Sequence, residues 1–201
     1  MIAPESIAFD IDGVFADIMS LFIDIARLEY NLFVSYQDVT CYSLEDCLDI
    51  NNKIIDAIIS KIISGAYDSK LKTIDGSTDV LSRVQAENSS LLFVTARTCP
   101  ETISKWIQTR LFSNSMISDS MAPESIEVVA TGTFEAKTEV LIDKNITHFV
   151  EDRLETCFEL YDAGITPVLF KQPWNRRNHP FIEVGSWKEL ESLIEFTRSI
   201  T

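Results

Sequence analysis

Short apolar runs alternate along this chain with segments of helical period, and that alternation leaves few folds open to it. The runs at residues 7–9, 91–94, 126–129 and 147–150 read as buried strands, the last less uniformly apolar, and a fifth follows at 166–170. Residues 101–112 set Ile103, Trp106, Ile107 and Leu111 on one side of a helix. Residues 153–163 do the same with Leu154, Phe158 and Tyr161, then stop at Gly164, a good helix terminator. A C-terminal stretch repeats the pattern with Leu190, Leu193, Ile194 and Thr197. Strands apolar throughout, interleaved with amphipathic helices, predict an α/β fold in which a parallel sheet is covered by helices on both faces.

The gap after the first strand is too long for one crossover. Residues 14–75 are nearly all helical in period, with one stripe of Val14, Ile18, Leu21, Ile25 and Leu28. A wider stripe of Ile54, Ile55, Ile58, Ile59, Ile62 and Ile63 is closed by Gly65, and residues 36–52 read as short helices and loop. The expected organisation is a core of residues 1–13 and 76–201 with a small helical cap, residues 14–75, inserted after the first strand. With 201 residues, 46% of them hydrophobic, the chain can bury a full core. Ala3-Pro4-Glu5-Ser6-Ile7 recurs as Ala122-Pro123-Glu124-Ser125-Ile126, which reflects similar turns before two strands rather than a duplicated domain.

The chemistry concentrates where the first strand ends, in Asp10-Ile11-Asp12-Gly13-Val14. Side chains of an extended segment alternate, so Asp10 and Asp12 project to one side. Two carboxylates sharing a poorly solvated cleft need a proton or a cation to compensate them. Ligands of open parallel sheets bind beyond the carboxyl ends of the strands, and other strands deliver polar residues there. The second gives Thr95, Ala96 and Arg97, and the fourth gives Glu151, Asp152 and Arg153. Lys137 follows the third, near the start of the next helix. Alone, Thr95 reads as a cap, Lys137 as a solvated helix residue, and Glu151-Asp152 as a pair favouring a helix start. What argues for function is their recurrence at equivalent ends of successive strands.

Acidic residues outnumber basic ones by 31 to 17, a net charge of −14, which argues against nucleic acid polymers and anionic membranes as partners. An anionic small substrate stays open, because a metal and local cations can reverse the field inside a pocket. The four cysteines show no Cys-x-x-Cys spacing, no signal sequence or membrane span is visible, and a cytoplasmic location with free thiols is expected.

The set Asp10-x-Asp12-Gly-Val, Thr95, Lys137 and Glu151-Asp152 resembles the four motifs of the haloacid dehalogenase-like hydrolase superfamily, and the helical insertion is similar to its cap. That resemblance implies a Rossmann-like sheet and a magnesium-dependent phosphatase. Asp10 is then the nucleophile that forms an aspartyl-phosphate, and Asp12 the acid and base. Thr95, Ala96, Arg97 and Lys137 are implied as substrate-binding residues. Asp10, the Asp12 backbone carbonyl and Asp152 are implied as Mg2+ ligands, with Glu151 as the alternative acid. An acid two residues past the nucleophile is the mark of the phosphatases rather than the dehalogenases. The segment Phe170-Lys171-Gln172-Pro173-Trp174-Asn175-Arg176 is similar to a loop of the 5′(3′)-deoxyribonucleotidase group. The substrate this implies is a small phosphorylated metabolite, with a nucleoside monophosphate favoured. A phosphatase of another metabolite and a non-catalytic phospholigand-binding member are the alternatives. Ile18 stands where some members carry a base-holding aromatic, leaving Tyr42 or Phe22 to supply stacking. Base, sugar, pathway and oligomeric state are not fixed by the sequence.

Overall fold

The computed structural model describes residues 1–68, 70–88, 90–113 and 125–196. Thr197 of the C-terminal stripe and Ala122, Pro123 and Glu124 of the repeated pentapeptide lie outside the described residues. Six parallel strands form one sheet: β1 (Ile7–Phe9), β2 (Leu91–Thr95), β3 (Ile126–Ala130), β4 (His148–Glu151), β5 (Thr166–Phe170) and β6 (Ile182–Val184). The helices are α1 (Ile18–Tyr30), α2 (Asn52–Ile63), α3 (Ser77–Asn88), α4 (Pro100–Ser113), α5 (Ala136–Asp143), α6 (Leu154–Asp162) and α7 (Trp187–Glu191).

The strand order is β3-β2-β1-β4-β5-β6, with Phe9 level with Phe93 on one side and with Val150 on the other. The chain first builds outward from β1 in one direction, then returns to its other side with β4. This reversal opens a crevice at the carboxyl ends of β1 and β4, where ligands of such sheets bind. Period-two alternation divides the core. Phe9, Phe93 and Val150 join Val80 and Leu81 of α3, Ile103, Trp106 and Ile107 of α4, and Trp187 of α7. Ala8, Val94 and Phe149 face the other way, onto Leu141 of α5 and Leu160 of α6. This is the Rossmann-like sheet, covered on both faces, that the alternation predicts.

Between β1 and α3 the chain makes the helical insert, in which α1 and α2 pack together and single 3₁₀ turns occupy Tyr36–Asp38 and Leu44–Asp46. The insert leaves and re-enters through a narrow neck. Ala16 bridges Thr73, the Asp17 amide donates to the Lys72 carbonyl at 2.9 Å, and the Ile74 amide donates to the Phe15 carbonyl at 2.8 Å.

Several helical stripes are rephased relative to expectation. Val14 is buried but precedes α1 in a turn, its carbonyl accepting from Trp187 Nε1 at 2.8 Å, and Leu28 is 67% exposed. Ile63, at the end of α2, is also exposed. In α6 the buried face is Leu154, Cys157 and Leu160, whereas Phe158 and Tyr161 lie outside and rest on Phe181. The C-terminal helix stops at Glu191, and Ile194 instead bridges Ile2. Both β6 and α3 are additions to the predicted elements.

Candidate active site

Asp10 leaves β1 at its carboxyl end, 5% exposed, its amide donating to the Val150 carbonyl of β4 at 2.9 Å. The next residues cannot continue as a strand. Gly13 takes φ +79°, a conformation open chiefly to glycine, and a Cβ there would meet Asp152 Oδ2 at 2.2 Å. The glycine is therefore required twice, by the turn and by the close passage of an acid from the neighbouring strand. Phe15 and Ala16 return their amides to the Ile11 carbonyl and tie the turn back on itself.

From β4 come Glu151 and Asp152. Oxygen atoms of Asp10, Glu151 and Asp152 lie within 4.8 Å of one another, all three residues buried. Lys137, in the first turn of α5 and fully buried, sits 2.9 Å from Asp10 Oδ1 and 2.7 Å from Glu151 Oε2. The two neighbouring acids are held differently. Glu151 is fully engaged: Oε2 accepts from Lys137, and Oε1 accepts from the amides of Asp152 and Arg153 at 3.0 Å each. Asp152 accepts from Trp174 Nε1 at 2.8 Å through Oδ2, while its Oδ1 is buried without a hydrogen bond. Asp10 Oδ1 faces Lys137 as an ion pair but outside hydrogen-bond geometry, and it too is a buried oxygen without a hydrogen bond.

Fully ionised, three carboxylates against one ammonium would leave this pocket two negative charges in excess, and Asp10 and Asp152 respond by holding their protons. Burial pushes the Asp10 carboxyl up to about 8; Lys137 opposes that, while Glu151 and Asp12 add to it. Burial likewise holds Asp152 well above the usual carboxylate range, with Glu151 and Asp10 contributing repulsion. For Lys137 burial acts downward, but Asp10 and Glu151 outweigh it and the ammonium is held more firmly than usual. Acids that resist ionising, beside orphaned oxygens and a glycine cradle, form a donor set suited to a hard divalent cation.

From β2, Thr95 is buried, and its hydroxyl accepts from the Arg97 amide at 3.3 Å, so its own proton is free to donate. Arg97 turns to Asp12 and grips it with both arms, Nε to Oδ2 at 2.9 Å and Nη2 to Oδ1 at 2.7 Å. Asp10, Asp12, Thr95, Ala96, Arg97, Lys137 and Asp152 line one cavity of about 290 Å³. The insert closes its other side with Ile18, Met19, Leu44, Ile59, Ile62 and Ile63, and with Tyr42. Phe22, considered from the sequence as a stacking residue, is excluded from that role: it is wholly buried in the core, because α1 turns it inward.

The loop after β5 adds residues whose part the sequence alone leaves undefined. Besides the Trp174 bond, Asn175 Nδ2 donates to the backbone carbonyls of Asp152 and Phe170, at 2.8 and 2.9 Å. Gln172 Nε2 donates to the Gly13 carbonyl at 2.7 Å, and Gln172 Oε1 accepts from the Tyr36 hydroxyl at 2.9 Å. This loop thus pins β4's acid, the β1 turn and the insert together. The only sequence signal is the Gln-Pro-Trp-Asn string itself.

A sheet reversed at β1, with acids from β1 and β4 facing a lysine from α5, defines a phosphatase of the haloacid dehalogenase-like class. Solved structures agree at the level of fold. CbbY from Rhodobacter sphaeroides, in complex with phosphate, superposes with TM-score 0.56 at 15% identity, covering 92% of this chain and 96% of its own. A haloacid dehalogenase-like hydrolase from Streptococcus pneumoniae gives 0.57 at 16% identity, covering 95% and 96%. More narrowly, the chain belongs to the family described as 5′ nucleotidase, deoxy (pyrimidine), cytosolic type C protein (NT5C), whose model matches residues 5–200. The chain is 26% identical over 190 residues to the 5′(3′)-deoxyribonucleotidase of Bacillus subtilis strain 168, covering 92% of this chain and 95% of that protein. Among the described residues, no helix is long and apolar enough to cross a membrane.

Proposed function

We propose that the protein is a magnesium-dependent nucleotidase that hydrolyses a nucleoside monophosphate through an aspartyl-phosphate on Asp10. The observation carrying the chemistry is the buried cluster of Asp10, Glu151 and Asp152, three acids facing the single ammonium of Lys137, in which Asp152 Oδ1 has no partner and Asp10 Oδ1 has only the Lys137 ion pair. Asp10 and Asp152 would hold the ion, together with the Asp12 backbone carbonyl. Glu151 has no oxygen to spare and serves to fix Lys137. A bound divalent ion supplies neutralising charge for the carboxylates and the phosphoryl oxygens.

In this reading the Asp10 carboxylate attacks phosphorus, and the ester P–O bond breaks as the new bond forms. A protonated Asp12 would donate to the departing oxygen; the carboxylate left behind, the form that Arg97 grips here, would then take a proton from the water that attacks the phosphoryl-aspartate and frees phosphate. Lys137, the Thr95 hydroxyl and the Ala96 backbone would hold the phosphoryl oxygens. Arg97, expected from sequence as a substrate-binding residue, has both arms on Asp12, and we assign it to orienting that carboxylate. Residues 14–75 act as the cap that excludes water over the core of 1–13 and 76–201. The nucleoside assignment draws on the NT5C family and on the activity named for the Bacillus subtilis relative. A cytoplasmic location accords with four free cysteines.

A second reading keeps the chemistry but takes another phosphorylated metabolite, because the insert wall of Ile18, Met19, Leu44, Ile59, Ile62 and Ile63 offers no side-chain hydrogen bond to a base. Phosphate release from a panel of nucleotides and sugar phosphates, with magnesium and with chelator, separates the two. Nucleotides are expected to lead, and Asp10→Asn to lower the rate by more than about 10⁴-fold. Normal release from Asp10→Asn rejects the nucleophile. A clear preference for non-nucleotides rejects the substrate. Hydrolysis of no ester, with ligand still bound, favours a non-catalytic role.

A further inference from the structure

Beside the catalytic cavity lies a larger one of about 730 Å³, and the two share Tyr42 and Trp174 as walls. The catalytic cavity, at about 290 Å³, sits at the lower limit of the roughly 300–1,000 Å³ typical of small-molecule sites. The two spaces therefore adjoin at Tyr42 and Trp174, and a substrate with its phosphoryl group at Asp10 would reach the second by passing these two side chains.

That space has a character at odds with the chain as a whole. In a protein of net charge −14, three arginines, Arg153, Arg176 and Arg177, line it. Arg177 is neutralised by Glu155. Among the described residues Arg176 makes no hydrogen bond or ion pair, and Arg153 makes no ion pair, although Glu135 lies near enough to feel its charge. Arg153 instead donates from Nη1 to Thr156 Oγ1 at 3.1 Å and lies over the rings of Phe134, at 4.3 Å, and Tyr42, at 5.4 Å. Its Nε is buried without a partner. Against these two guanidinium groups, neither of them in an ion pair, the described lining sets one acid outside an ion pair, Asp46. Aromatic faces can steady a guanidinium while its edge stays available, and that planar edge matches phosphate oxygens two at a time.

We propose that this arginine cleft is a second anion subsite, which favours a phosphomonoester carrying a second phosphate on its leaving-group side over the same ester without it. The proposal rests on the catalytic reading above for the position of the reacting phosphate. It adds that Arg153 and Arg176 select for charge where the insert's aliphatic wall selects for shape.

The test uses two matched pairs: a deoxynucleoside 3′,5′-bisphosphate against its 5′-monophosphate, and a hexose bisphosphate against its monophosphate. Dissociation constants are measured by calorimetry on Asp10→Asn protein, with magnesium raised to offset its weakened metal site, and kcat/KM on wild type. In at least one pair the bisphosphate is expected to bind about tenfold tighter or more, the yield of roughly one good charge-assisted contact. Arg176→Gln in the same background should bring that ratio to within about twofold of unity. Arg153→Gln should do the same, with circular dichroism confirming its fold. No preference in either pair overturns the proposal, as does a preference that survives both substitutions. A failed catalytic reading shows separately, as no phosphate release by wild type, because the binding ratio still reads the cleft.

Discussion

The two walls of the catalytic cavity are built on opposite principles. At the strand ends, polar atoms are committed and buried: Lys137 spans two acids, Arg97 grips Asp12 by both oxygens, and Trp174 holds one oxygen of Asp152. Across from them the insert presents Met19, Leu44, Ile59, Ile62 and Ile63, side chains that fix no hydrogen-bond geometry. The first wall allows one arrangement of charge. The second sets a volume that different leaving groups can fill. The contrast assigns rate to the core and selectivity to the insert, so changes on the first wall should act on kcat and changes on the second on KM.

The largest effect expected to sharpen that division is at Arg97. If it orients the residue that protonates the leaving oxygen, Arg97→Met should slow a nucleoside monophosphate by about a hundredfold, the lower end of general acid catalysis. The same variant should slow p-nitrophenyl phosphate by only about threefold, since that phenolate departs without a proton. Equal losses on both esters would mean that Arg97 serves the phosphoryl group directly.

Next in size is the pH response of the metal-free protein. Burial raises the Asp10 carboxyl from 3.8 to about 8, so between those values the folded chain keeps a proton that the unfolded chain releases. This group's contribution to stability is therefore whole below pH 3.8 and fades as pH rises toward 8. Chelated protein should melt at a lower temperature at about pH 8 than at about pH 6, and magnesium should remove much of the difference. A flat profile in chelator would mean that the acids are compensated within the fold.

The smallest effect tests the aliphatic wall. Ile59→Ser should raise KM several-fold, roughly the 1–3 kcal/mol ceiling or less for a few methylenes, with kcat nearly unchanged. A fall in kcat alone would place the insert inside the chemistry and erase the contrast.

Much of the core could be read from the sequence because uniformly apolar strands leave little ambiguity, and the motif residues follow directly on the strands. Asp10, Thr95 and Asp152 stand out as candidates for that reason, whereas Lys137, in the first turn of α5, stands out only as part of the whole motif set. What was not legible depends on phase or on distant partners. In α6, Phe158 and Tyr161 outrank Cys157 and Leu160 in bulk, yet the smaller pair faces the sheet, and Leu154 fits either stripe and so could not decide between them. Strand β6 carries Glu183 in its centre, engaged by Lys171 and His179 at the sheet's edge, and so lacks the signature of a buried run. In α3 the buried face includes Gln85 and Ser77, which blurs its apolar stripe. Trp174 and Asn175 act on Asp152 across 22 and 23 residues, and Arg97 reaches Asp12 across 85; no local pattern encodes such contacts.

The direct test of the account is magnesium binding measured by titration calorimetry on metal-free wild type, Asp10→Asn and Asp152→Asn. One site per chain is expected in wild type, weakened by about a hundredfold or more when either acid loses its charge. Absence of binding in wild type, or binding that survives both substitutions unchanged, would contradict the claim that these two carboxylates share one cation.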